Sequence, residues 1–139
     1  MACLRGKRVV EARAWRRMER AALQALDEQI GDAVRRADGP ILYADYRHAS
    51  PVVPAVGRQW SRAMRRANGR VLRTGILVDP ANILFNLQLY RWVECTHNPA
   101  RRVFADRNEL FAWLAIGCSE QEQRVLRDIL GEPDPSGST

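Results

Sequence analysis

Three short apolar runs, Ile41–Ala44 in ILYAD, Val71–Val78 in VLRTGILV and Arg101–Phe104 in RRVF, are each followed within two residues by an aspartate: Asp45, Asp79 and Asp106. Runs of this length bounded by turn residues suit buried strands, and stretches long enough for helices separate them. Parallel neighbours need such crossovers, whereas antiparallel ones do not. The expected class is α/β. The sheet should hold about four strands, largely parallel or mixed, with alternating helices and an added helix at the C-terminal end.

The helical stretches have their own marks. Val10, Ala14, Met18, Ala22, Leu26, Ile30 and Val34 recur every fourth residue, which predicts one long helix over 10–34 that stops near Ala37, before Asp38-Gly39-Pro40. A second helix is expected over 51–67, with Val53, Val56, Trp60 and Met64 inward, and a third over 82–95. Asp106 with Glu109, and Ser119 with Glu122, are spaced as capping boxes and predict helices ending near Leu114 and Leu130. Ala2–Arg5 could supply one more strand stub before Gly6. Residues 1–130 are expected to form a single domain, and 131–139, rich in Pro, Gly and Ser, a disordered tail.

Composition narrows the function classes. No apolar run approaches the ~20 residues that span a bilayer, and the first ten residues lack the apolar core of a secretory signal. A soluble, cytoplasmic protein is the expectation. Cys3, Cys95 and Cys118 are too few and too widely spaced for a disulfide framework, and Cys95-x-His97 offers a metal only two ligands. Neither metal nor cofactor is expected. The net charge of +6 is uneven: residues 1–73 carry 16 Lys and Arg against 7 Asp and Glu, residues 74–139 carry 6 against 9. Only Lys7 among the basic residues is lysine, a bias that a GC-rich genome would also produce, so the arginine excess is not by itself a sign of a partner.

The order of these elements carries a resemblance. A strand stub ending at Gly6, a long helix, ILYAD, a helix bearing Trp60, TGILVD, a further helix and then RRVFADRNELFAWL resemble the STAS superfamily, nearest its anti-sigma-factor-antagonist-like (SpoIIAA-like) branch. The block Arg101–Leu114 is the most characteristic part, and the order extends the likeness over roughly residues 2–115. The resemblance implies a small sheet backed by helices that works without catalysis, by binding a partner protein and sometimes a nucleotide or lipid. The Asp-Ser-Gly type motif of the phosphorylated members has no counterpart after Asp45, where the chain reads YRHASPVVPAVG.

No stretch spells out a reaction. Asp45, His48 and Ser50 contain the ingredients of a nucleophile, a base and an orienting carboxylate, but Ser50 as helix N-cap with Pro51 at the first helical position accounts for the same residues. Ser50 is also a candidate phosphorylation site, because a helix start favours added negative charge. If all three strands are parallel, Asp45, Asp79 and Asp106 would line one sheet edge as a candidate ligand edge. The candidate partner-binding residues are the arginines expected on the first two helices: Arg13, Arg16, Arg17 and Arg20, then Arg58, Arg62, Arg65 and Arg66. The expected function is a non-enzymatic regulatory or adaptor protein that docks an acidic protein partner through these faces. A nucleic-acid-binding module is the alternative, a small-ligand or enzyme domain ranks below it, and a membrane-surface role for residues 10–20 is a further reading. A short first strand leaves homodimerisation through a sheet edge open.

Overall fold

The computed structural model describes residues 1–131. Along the chain it forms β1 (Ala2–Arg5), β2 (Val9–Arg16), α1 (Arg20–Arg36), β3 (Ile41–Ala49), α2 (Pro54–Arg66), β4 (Arg73–Leu77), α3 (Ile83–Cys95), β5 (Arg101–Phe104), α4 (Arg107–Leu114) and α5 (Glu120–Leu130). The class is α/β, with a mixed five-stranded sheet in the order β1-β2-β3-β4-β5. β1 pairs antiparallel with β2, and β2 through β5 run parallel.

The added strand is β2, and it replaces the first half of the expected long helix. Positions i and i+4 share a face on a helix, but four is also an even number, so they share a face on a strand. Val10 and Ala14 meet both templates. What separates them is the residues between: Val9 to Ala14 are buried without exception, which a surface helix cannot achieve and a strand covered on both sides can. The strand ends at Arg16, whose φ of 62° breaks the extended run, and α1 begins at Arg20.

Strand parity then sorts the core into two layers. Val10, Ala12, Ala14, Leu42, Ala44 and Ile76 face α1, α2 and α3. Val9, Ile41, Tyr43 and Leu77 face α4 and α5. On the first side Tyr46, Trp60, Phe85 and Trp92 form an aromatic cluster with ring centroids 5.1–6.3 Å apart. Contacts of this kind add about 0.5–1.5 kcal/mol per pair beyond area burial. On the second side Gly75 of β4 carries no side chain because α4 lies directly on it. A Cβ there would overlap Leu110 Cδ1 and press on Leu114.

Several boundaries move from those expected. β3 runs to Ala49, so Tyr46, Arg47 and His48 lie in the strand and not in a loop. Val53 is the N-cap of α2, with Pro54 in its first turn, so Ser50 and Pro51 do not begin that helix. Asp106 accepts hydrogen bonds from the Asn108 and Glu109 backbone N–H groups, and Ser119 and Glu122 close a full capping box. The tail expectation, beyond Gly131, lies outside the described residues.

Candidate functional site

The least ordinary feature of the sheet is a chain of charges on its α5 side. Glu11 and Arg13 are spaced two apart on β2, and Asp45 and Arg47 two apart on β3, and the register sets Arg13 beside Asp45. Arg5 donates to Glu11 Oε1 at 3.0 and 3.1 Å, and Arg13 donates to Glu11 Oε2 at 2.9 and 3.2 Å. Arg13 also reaches Asp45 Oδ2 at 2.8 Å. Arg47 donates to Asp45 through Nε at 2.9 Å, Nη2 at 2.8 Å and its backbone N–H at 3.2 Å. Glu11, Arg13 and Asp45 are 0%, 4% and 3% exposed. A register shift follows Asp45, where β3 holds one residue more than β2, and this bulge lets Arg47 turn back onto its neighbour.

This chain of charges ties strands together and has no capacity left at Asp45 for chemistry. The two oxygens of Asp45 accept four hydrogen bonds, which uses the lone pairs of a carboxylate. Burial alone raises its pKa, but the hydrogen bonds and charge of Arg47, with the charge of Arg13, outweigh burial and hold the carboxyl below its ordinary value. Next to it the Tyr43 hydroxyl is pushed up, by burial first and then by the Asp45 charge.

The candidate ligand edge separates into three unrelated roles. Asp45 pairs in register with Leu77 and so stands short of Asp79, which lies beyond the end of β4. Asp79 Oδ1 accepts from the Ala81 N–H in a turn, and Asp106 caps α4. Strands β2 to β5 also keep sequence order, so the parallel part has no point where the order reverses and no crevice of the kind that seats ligands in doubly wound sheets. Ser50 follows β3 and donates its backbone N–H to the Arg16 carbonyl. Because Asp45 is committed to arginines, Asp45, His48 and Ser50 do not assemble as a triad. Among the described residues no three His, Cys, Asp or Glu side chains could hold a metal ion.

The candidate arginines divide in the same way. Arg13 is interior to the sheet, which removes it from any docking face, and with β2 a buried strand the membrane-surface expectation for residues 10–20 is withdrawn too. Arg16 ends β2, Arg17 lies in the following turn, and Arg20 opens α1. These three are exposed but do not form a helical face. Arg17 and Arg20 border an open cleft of about 630 Å³ that Ser50 and Val53 also line. On α2, Arg58, Arg62, Arg65 and Arg66 are exposed at helical spacing, as expected. Arg66 is bound to Asp27 of α1 at 2.8 Å. Among the described residues no carboxylate reaches Arg58, Arg62 or Arg65.

Beside this stripe, α3 turns apolar side chains outward. Phe85, Leu89 and Trp92 pack inward, while Ile83, Leu84, Leu87 and Tyr90 are 65%, 67%, 62% and 51% exposed. A helix apolar on both sides is normally covered on both. Sequence reasoning missed this surface, although the run ILFNLQLY shows it. It missed the charge chain too, having set Arg13 on a helix face and Asp45 on a ligand edge; the signal is the pair Glu11-x-Arg13 and Asp45-x-Arg47, opposite charges alternating within apolar runs.

Compared with family models, with curated proteins and with solved structures, the chain matches none of them. Fold and site define a mixed α/β protein whose distinctive exterior is a helical layer, basic along α2 and apolar along α3. None of its helices is long and apolar enough to cross a membrane, among the described residues.

Proposed function

We propose that this chain is a non-enzymatic regulatory or adaptor protein of STAS-like fold that docks an acidic surface of a partner protein through the arginines of α2. The carrying observation is the row Arg58, Arg62 and Arg65, exposed on one helix and not neutralised within the described residues. Arg20, exposed at the start of α1, sits against α2, where Gln59 Nε2 donates to its carbonyl at 3.1 Å, whereas Arg17 faces Glu19 at 4.0 Å. Two features support the STAS-like assignment: the antiparallel β1 leading into four parallel strands in sequence order, and the block Arg101–Leu114 folding as strand, aspartate cap and helix. A row of like charges raises encounter rate and selects partners of opposite charge more than it adds affinity. Reversing it with Arg58→Glu, Arg62→Glu and Arg65→Glu should weaken capture of the partner at least about tenfold, with the loss shrinking as salt is added. The three side chains are exposed, so the variant should keep its circular dichroism spectrum and melting temperature. Undiminished capture by the folded triple variant would remove α2 from the interface.

A further inference from the structure

Between α2 and α3 runs a groove of about 670 Å³, with Gly57 and Trp92 in its floor, Leu84 and Leu87 on one wall, and Arg58 and Arg91 among its charged residues. Its shape is fixed from below. Gly57 leaves room for the Trp92 indole, since a Cβ there would come within 3.2 Å of the ring, and Trp92 stacks on Trp60 at 5.1 Å. Gln88 grips both backbone groups of Val52, accepting from its N–H at 2.9 Å and donating to its carbonyl at 2.8 Å. That clasp holds the β3–α2 connection against α3. A groove already in place demands little ordering when it is filled.

We infer that this groove seats an amphipathic helix of the partner protein, its apolar side chains resting on Leu84 and Leu87 and its acidic ones facing Arg58, Arg62 and Arg91, a step that rests on the protein-binding reading of the α2 arginines. Helix-in-groove recognition asks for apolar anchors one helical turn apart, and Leu84 and Leu87, three residues apart on α3, offer an apolar pair at that spacing on the receiving side. Charge decides between occupants. A second copy would set Arg58 and Arg91 of both chains together, with Glu94 the one carboxylate that α3 brings. A bilayer surface would meet the outward side chains of α3 but not a concave floor. An acidic amphipathic helix answers the apolar wall and the arginines together.

The test places a photo-crosslinking benzoylphenylalanine at Leu87 in one full-length chain and at Arg62 in another, irradiates each in native lysate, and sequences the linked segment by mass spectrometry. The expected product at position 87 is a segment of net negative charge with helical apolar spacing. A synthetic peptide of that segment should then bind the unmodified chain at least tenfold more tightly than the Leu84→Glu, Leu87→Glu variant, whose two sites are exposed and leave the fold intact. A crosslink to lipid or to a second copy of this chain at position 87 would overturn the inference, as would a linked segment without that pattern or a peptide that binds both chains equally. Protein captured at position 62 but not at 87 would overturn the groove and leave the arginine reading standing; capture at neither would end both.

Discussion

At the scale of single residues, the place of a charge in the fold decides what it does. Arg13 and Arg62 are the same residue type, yet one is locked between Glu11 and Asp45 inside the sheet and the other lies exposed on α2. Removing one member of a buried ion chain costs the charge pairing it supplied, so Asp45→Asn, which takes the negative charge from between Arg13 and Arg47, should cost about 3–5 kcal/mol in denaturant unfolding. The pH dependence has a definite sign. Asp45 has its folded pKa lowered, so its contribution is complete above the ordinary value of 3.8 and is lost as pH falls from there through the lowered folded value. Thermal melts from pH 6 to pH 2 should show the wild type losing stability in that acidic window, and the Asp45→Asn variant, already less stable, losing less of it. Arg101 plays a third role. It is buried, donates at 2.9 Å to the Met64 carbonyl in the last turn of α2 and at 2.8 Å to Asn68 Oδ1, and so satisfies a helix end whose dipole favours a cation.

At the scale of elements, sequence and structure agree where the pattern admits one period and part where it admits two. β5 falls on Arg101–Phe104 as expected, and the Ser119–Glu122 box opens α5 because its chemistry is local. Residues 9–16 were ambiguous because a spacing of four is compatible with a helix and with a strand, and only the covering of both faces decides. The end of β3 was hidden for another reason: Arg47 and His48 look like loop residues until Asp45 is seen to hold Arg47 across the bulge. Within the candidate site, the α2 arginines were legible from helical spacing, whereas the separation of Asp45 from Asp79 and Asp106 needed the register. Gly75 gives an element-level prediction. Gly75→Ala should cost about 1–3 kcal/mol in urea unfolding by pushing α4 off β4, since Leu110 already occupies the space of the missing Cβ. Ser119→Ala should cost about 1 kcal/mol by opening the box of α5.

At the scale of the whole molecule, the parallel strands succeed one another in sequence order, with α1 to α3 on one face and α4 and α5 on the other. The buried Glu11–Arg13–Asp45 charges lie on the α5 side and tie the sheet together, while Arg58, Arg62 and Arg65 lie across the fold, exposed on α2. This division underlies the central claim, that the helical layer is a surface for an acidic protein. The most direct measurement is a pull-down with the tagged full-length chain from native lysate, split into nuclease-treated and untreated halves and read by mass spectrometry. A specific acidic protein retained equally in both halves, and lost when Arg58, Arg62 and Arg65 are changed to Glu, is the predicted result. Recovery of nucleic acid alone, or of proteins that disappear with nuclease, would contradict the claim and assign the arginines to phosphate binding.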